Sequence, residues 1–495
     1  MGFKEDADFA RFVSMGAVGS AAVANDLTER HGHRPIELER YAMSNKVWQT
    51  KVKRLRMPDL VCTACGLRVE SRAKSKLGIV LSHSEAVGRG WDGGGMRDND
   101  LYAFLRADMS VFPPRVSSPW YFSTESLREP LDFARLSDRK AASEGSEVTL
   151  TWPTWVPAKS GRLVDVDEYG RLVCEWTDGS VYRYWQWRRW GERRYQYADV
   201  GEEITAHETM VAGVVAPPPD IACPGDVWDV ESSLGSPDAT DKYSAIKTIG
   251  ALRRTDLVRS LVDVVDHEKD WRIRLEALGS LALIEPDTWT GGIADIALDS
   301  ELSDEVRIEA TFLLSELSTS EALDALETIG ASKTLVPSEI RAAATWGLGQ
   351  GFVARPDALL QFLDDEDFLV RLHALAAIDD IPTTVAETLR TWLSEDDPVK
   401  AAAAATLLQR HNLVEPLLDA YEKGGVGRLW AIRALGGMAE DDVRAVAGGR
   451  LTEELEKALL PLWLGRDDWI ETEGQEGLDA LGVQKVRSDP YDFSR

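Results

Sequence analysis

From Lys242 onward, a basic residue followed three positions later by alanine in apolar helical surroundings recurs seven times at a nearly constant period. The pairs are Lys242/Ala245, Arg274/Ala277, Arg307/Ala310, Arg341/Ala344, Arg371/Ala374, Lys400/Ala403 and Arg428/Ala431. Successive basic residues are 32, 33, 34, 30, 29 and 28 positions apart. A repeat of that size is one supersecondary unit that cannot bury its apolar face alone, so the units must stack. This constraint outranks every other feature of the chain.

Each unit reads as two helices. Leu257, Val258, Leu261, Val262 and Val265 mark the apolar face of a first helix over Asp256–Val265. An acidic turn follows, and a second helix opens with the basic residue, as in Trp271-Arg-Ile-Arg-Leu-Glu-Ala-Leu-Gly-Ser-Leu. Asp270, Asp304, Asp367 and Asp397 stand just ahead of these second helices, where a carboxylate can cap the unpaired N–H groups. The small alanine lets neighbouring helices approach closely. Over roughly Asp241–Gly449 the chain resembles the HEAT-repeat family in its short PBS-lyase-type form. That resemblance implies an α-solenoid in which Asp and Arg of successive turns form an internal ladder. Arg274, Arg307, Arg341 and Arg371 are then structural, and the exposed face is a docking surface for a protein partner.

Two chemical readings of such a solenoid can be weighed on residues. Some HEAT-like proteins are di-iron hydroxylases that hold their metals with several His-Glu pairs. Here only His267-Glu268 occurs in the solenoid, too few ligands for two irons. The family name also evokes bilin attachment, for which the sequence offers no feature.

The chain has 495 residues, more than one hydrophobic core can serve, so several domains are expected. Its 83 acidic and 56 basic residues give a formal charge of −27, the profile of proteins from a salt-loaded cytoplasm. Met1–Ser110 departs from that profile, with 17 Lys and Arg against 14 Asp and Glu. This segment is therefore about +3 and the remainder about −30. A phosphate backbone would be tolerated by the first and repelled by the second.

Within the basic segment, Asp8–His31 has helical apolar spacing (Phe12, Met15, Val18, Ala22, Val23, Leu27) and should end before Gly32. Extended segments are expected at Ile36–Tyr41, Lys53–Cys62 and Gly66–Lys74, the last two joined by a Cys-Thr-Ala-Cys-Gly hairpin tip. Pro58-Asp59 stands on one of these strands and Glu70-Ser-Arg72-Ala-Lys74 on the next, with Glu70, Arg72 and Lys74 on one face. Acids on neighbouring strands beside a cation suit Mg²⁺-assisted phosphodiester cleavage. Over roughly Phe9–Asp108 the arrangement resembles the PD-(D/E)XK nuclease superfamily. The resemblance implies Asp59 and Glu70 as metal ligands, with Glu29 or Glu37 as helper. The family places lysine two residues after the second acid. Here that position is Arg72, which cannot act as a base near neutrality, and Lys74 lies two residues further on. Lys51, Lys53, Arg54 and Arg56, with Lys46, could meet a nucleic-acid backbone. The plainer account is a hairpin carrying an exposed ion-pair stripe.

Four cysteines occur, Cys62, Cys65, Cys174 and Cys223, too few for a disulfide framework. Cys62 and Cys65 have zinc-knuckle spacing, yet a structural zinc needs four ligands. His83, or His31 and His33, could complete the set, and two ordinary thiols are the alternative. The Gly-rich run Arg89–Asp100 lacks the Lys-Ser/Thr ending of a phosphate loop and reads as a turn before an element at Leu101–Leu105.

Prolines 113, 114 and 119, and again 217 to 219 with 224, mark boundaries. Between them, strands are expected at Val148–Trp152, Arg162–Val166, Leu172–Trp176 and Val181–Trp187. The last interleaves Arg with Trp185 and Trp187. These two rings either form a core face or stack on single-stranded nucleic acid.

The expectation is therefore a multidomain α+β protein. It comprises a small α/β domain with the nuclease resemblance (1–110), a β-rich module (111–225), a linker (226–240), an all-α solenoid (241–470) and a cap or tail (471–495). The function expected is that of a scaffold which binds other macromolecules. The alternatives are a Mg²⁺-dependent nuclease recruited by the solenoid and a nucleic-acid binder without catalysis. No membrane segment is expected, and the protein is read as cytoplasmic.

Overall fold

The structure is a computed structural model. It describes residues 3–38, 48–84, 90–93, 95–111, 113–142, 145–185, 190–218, 220–350 and 355–464. The expected tail at 471–495, Trp187 and Lys46 lie outside these residues. The chain divides into two compact units, Met1–Ser44 with Lys53–Ser280, and Asn45–Val52 with Leu281–Arg495.

In the first unit the opening helix, Phe3–His31, stops where the sequence said it should, because Gly32 takes φ +70°. The strands that follow are β1 (Pro35–Glu37), β2 (Leu60–Cys62), β3 (Arg68–Lys74), β4 (Val80–Ser84), β5 (Leu101–Asp108), β6 (Arg115–Val116) and β7 (Trp120–Ser123). One sheet runs β1-β2-β3-β5-β6, with β7 also paired to β5. Its pairs are antiparallel except β3–β5, which is parallel from Val69↔Leu101 to Lys74↔Arg106.

The long helix lies against β3 so closely that a Cβ on Gly19 would fall 2.4 Å from that of Ala73. Period-two alternation along β5 serves two cores at once. Leu101, Ala103 and Leu105 meet Val23 and Leu27 of the helix, whereas Tyr102 and Phe104 face the other way. There they join Trp91, Phe122, Trp152, Leu163, Cys174 and Trp176, so the first sheet and the β-rich region share one apolar core. The β-rich region itself contains a four-stranded sheet in the order Val181–Tyr184, Leu172–Trp176, Gly161–Val166, Glu203–Ile204. A further sheet centres on Gly145–Thr151, which pairs with β4.

Two strand expectations need correction. Lys53–Met57 has the alternation of a strand but is none; the strand begins only at Leu60. Met57 is instead packed with Leu38, Val61 and Tyr243, because alternation signals extended chain and not the neighbour that a ladder needs. In the strand at Val181 the pairing ends at Tyr184, which is the buried ring, while Trp185 is half-buried with the Arg171 guanidinium 4.8 Å above it.

From Val230 onward every described element is helical. Two-helix units follow one another, for example Pro286–Leu298 with Asp304–Leu317, Ser320–Ala331 with Ser338–Leu348, and Thr383–Trp392 with Pro398–Arg410. All seven basic residues of the repeat fall in the first turns of second helices, and all seven partner alanines are fully buried. Asp270, Asp367 and Asp397 cap as expected, through Arg272 N, Leu369 N and Val399 N. Asp304 does not. It is the first residue of its helix, Ser303 holds the cap position, and Asp304 pairs with Arg307 at 3.5 Å.

Four of the basic residues reach forward to the next repeat, whereas Arg371 turns back to Asp365 O (2.6 Å) and Lys400 to Glu395 (3.1 Å). Lys242 meets Glu268, Arg307 donates to Leu335 O (3.0 Å), Arg341 meets Asp365 (2.5 Å) and Arg428 meets Glu454 (2.8 Å). These four contacts tie a repeat to the one after it, through carboxylates in three cases and a carbonyl in the fourth. No helix of the described residues is long and apolar enough to cross a membrane.

Candidate functional site

The hairpin tip between β2 and β3 gathers a cluster of soft ligands. Its turn is set by Gly66 N donating to Cys62 O and Cys62 N to Leu67 O, both at 2.8 Å. Gly66 takes φ +71°, and a Cβ there would strike the Trp228 ring at 2.8 Å. His33, just past the end of the long helix, is brought in by its own N–H to Leu27 O (3.0 Å). Cys223 comes from the far side of the β-rich region and is held by its N–H to His31 O (2.8 Å). The ligand atoms of His33, Cys62, Cys65 and Cys223 all lie within 4.8 Å of one another. His33 and Cys62 are buried, and the other two are partly so.

Electrostatics follows from this crowding. The hydrogen bond from Cys65 holds Cys62 far below the usual thiol range, with help from His33 and the Arg34 N–H and against burial. Cys65 is pushed up by the same contact and by burial. Burial alone would lower His33, but its bonds to Cys62 and the Ile221 carbonyl outweigh it, and its pKa is raised. Three sulfurs and one imidazole in this disposition can hold a soft divalent ion or exchange disulfides.

Of the ligands weighed from sequence, His33 joins Cys62 and Cys65. His31 instead meets Asp26 at 3.5 Å, and His83 accepts from Trp91 N at 3.3 Å. Cys223 was not foreseen. It lies 158 positions from Cys65, and only the fold of the intervening β-rich region closes that loop.

Of the carboxylates singled out for phosphodiester chemistry, Glu70 stands on β3 and Asp59 immediately precedes β2. Continuing the β2–β3 register of Leu60↔Val69 by one residue sets Asp59 across from Glu70. Asp59 is buried and accepts the Ser71 N–H at 2.6 Å, while Glu70 pairs with Arg72 along its own strand. Burial, with Arg72 adding to it, lowers Lys74. Of the basic run, Lys51 donates to Trp48 O (2.5 Å) and Arg56 to Gly90 O (3.1 Å). Glu268, the one acid of the His-Glu pair, accepts from Lys269 N and Asp270 N and meets Lys242, as a structural residue would.

The second unit holds a different feature. A short stretch of chain, Trp48–Val52, is seated against second helices of consecutive repeats. The Trp48 ring is 3% exposed, stacked on His373 (5.4 Å, 25°) and tilted against Phe312 (5.3 Å). Phe312 in turn meets Trp346 edge-on at 6.1 Å. Beside this aromatic seat, Glu339 accepts from Thr50, whose N–H lies 3.1 Å and whose hydroxyl lies 2.7 Å from Oε2. The helices Asp304–Leu317, Ser338–Leu348 and Phe368–Ala377 thus each give one or more side chains to a peptide-sized site.

No family model and no curated protein matches this chain. Among solved structures it is similar to the YibA protein of Escherichia coli, at 16% identity over 48% of this chain and 91% of that one (TM-score 0.26). It is also similar to the complex of CpcE and CpcF of phycocyanin lyase from Nostoc, at 19% identity over 47% and 93% (TM-score 0.22). Human deoxyhypusine hydroxylase in complex with glycerol matches at 16% identity over 48% and 95% (TM-score 0.21). At such TM-scores the helix pairs and their period remain the basis for reading a helical repeat region.

Proposed function

We propose that this chain is a HEAT-type scaffold whose second helices hold an extended segment of a protein partner. The observation that carries the reading is the seat of Trp48–Thr50. A stretch of backbone without regular structure lies on the repeats with an aromatic anchor in a pocket and a carboxylate receiving its N–H. Those are the elements by which solenoids and grooves take peptides, an anchor for affinity and a backbone contact for register. The chain's own segment behaves as a tethered ligand, at an effective concentration that a free peptide must overcome. The acidic surface of this half favours partners that offer aromatic and basic residues, as Trp48 and Lys51 do.

The test uses the full chain. A peptide of residues 45–53 is titrated by calorimetry into wild type and into a Trp48→Ala/Thr50→Ala double variant. Binding to the vacated variant is expected at least tenfold tighter than to wild type, and Glu339→Gln added to the variant should weaken it again. Equal, negligible heats from all three proteins would end the reading.

A further inference from the structure

We propose that His33 Nδ1 and the sulfurs of Cys62, Cys65 and Cys223 bind one Zn²⁺ ion as a closed structural site. A tetrahedral zinc with sulfurs at about 2.3 Å and nitrogen at about 2.1 Å has ligand-to-ligand edges of about 3.8 Å for S···S and about 3.6 Å for S···N. The structure already provides one edge of each kind, Cys62 Sγ···Cys223 Sγ at 3.9 Å and Cys65 Sγ···His33 Nδ1 at 3.6 Å. The remaining separations reach 4.8 Å at most, so closure requires about an ångström of side-chain movement and no change of backbone path.

The surroundings are also those of a metal site. His33 Nε2 lies 2.8 Å from Ile221 O, which fixes the tautomer with a proton on Nε2 and leaves the Nδ1 lone pair facing the sulfurs. Ile221 is two residues before Cys223, so the segment that orients the histidine also delivers the fourth ligand. The Arg34 N–H points at Cys62 Sγ from 3.4 Å, where it would temper the charge of a bound thiolate. Three sulfurs and an imidazole favour zinc over the hard cations. With four protein ligands no position is left for water or substrate, which makes the site structural rather than catalytic.

Its role follows from what it joins. The Cys223 segment continues into Val227 and Trp228, whose N–H groups both reach Ala64 O at the tip of the same hairpin (3.1 Å). Zinc would therefore fasten the chain leaving the β-rich region to the β2–β3 hairpin, immediately before the first repeat helices of this unit. All four cysteines are free thiols, so in this reading the metal supplies the cross-link.

The full chain, purified under reducing conditions and dialysed against zinc, should carry about one zinc by elemental analysis. Replacement by Co²⁺ should give the ligand-field bands of a tetrahedral site with thiolate charge-transfer absorption. Cys223→Ser and His33→Gln should each weaken metal retention at least tenfold against a chelating dye, whereas Cys174→Ser should retain it. The cobalt spectrum of wild type keeps the proposal testable even where a variant fails to fold. A wild-type chain that takes up neither metal with all four thiols titratable would overturn it. So would a native mass two hydrogens short with Cys62 bonded to Cys223, or cobalt in an octahedral spectrum.

Discussion

A buried ion pair makes single residues of the repeats sensitive to one-sided substitution. Arg341 and Asp365 are both almost completely buried and meet at 2.5 Å, with Lys333 3.4 Å from the same carboxylate oxygen. Removing one member of a buried pair strands the other charge, at about 3–5 kcal/mol, whereas replacing both by apolar residues is often neutral. Arg341→Met should therefore unfold several degrees earlier than Arg341→Met/Asp365→Leu, measured by calorimetry. Burial would raise the Asp365 carboxyl, but the Asp367 N–H and Arg341 outweigh it and hold the pKa below the ordinary value of 3.8. A depressed carboxyl contributes stability that is present above its unfolded pKa and lost as pH falls through the folded one. The wild type should thus lose stability below about pH 4 more steeply than the double variant. At this scale the sequence was most legible where a residue recurs. Arg307 and Arg341, both buried, were readable as structural because the residue repeats, and Cys62 and Cys65 were readable as neighbours because their spacing is local. Cys223 was not, since its partnership depends on a long loop closing, and no local pattern encodes that.

Helices were easier to read than strands, for a physical reason. A helix satisfies its backbone within itself, so the 3.6-residue period and the capping acids are sufficient to place it. The second helices begin within a residue or two of the acids that announced them, and Asp304 failed as a cap only by belonging to the helix it was meant to precede. A strand needs a neighbour, and Lys53–Met57 shows the consequence, an alternating run that found a core but no ladder. The same reasoning makes the repeat alanines the most sensitive small residues of the second half. Ala403 is fully buried in the helix Pro398–Arg410, one of a packed series of second helices. Ala403→Leu forces side chains into a space already filled, at about 1–3 kcal/mol. In a unit of this size that is a fall in melting temperature of about 2–10 °C, whereas Ala→Gly there should cost about 1 kcal/mol. A leucine tolerated without loss would mean that the repeats do not pack through this position.

For the whole molecule, the repeat pattern starts earlier than the repeat body. The repeat period puts a boundary near residue 240, but the compact units divide at Ser280. The chemistry of the first repeat explains the difference. Arg68 of β3 is 2% exposed and meets Asp241, while its backbone N–H donates to Asp100 at 3.1 Å. Tyr243, on the same helix (Ala239–Ala251) as Asp241, completes the cluster of Leu38, Met57 and Val61 and donates to Glu276 at 2.6 Å. A Cβ on Gly95 would collide with Thr240 at 2.1 Å, so the loop before β5 was shaped to receive this helix. The first repeat therefore acts as the last layer of the β-sheet body. A fragment of residues 1–240 would leave Arg68 as a buried cation without Asp241, at about 3–5 kcal/mol, and expose the apolar face under Tyr243. It should aggregate or melt without a cooperative transition by circular dichroism. A fragment of residues 1–285, which keeps the helices through Ile284, should melt cooperatively. If the shorter fragment proved as stable as the longer one, the coupling of sheet and first repeat argued from Arg68 and Tyr243 would be wrong.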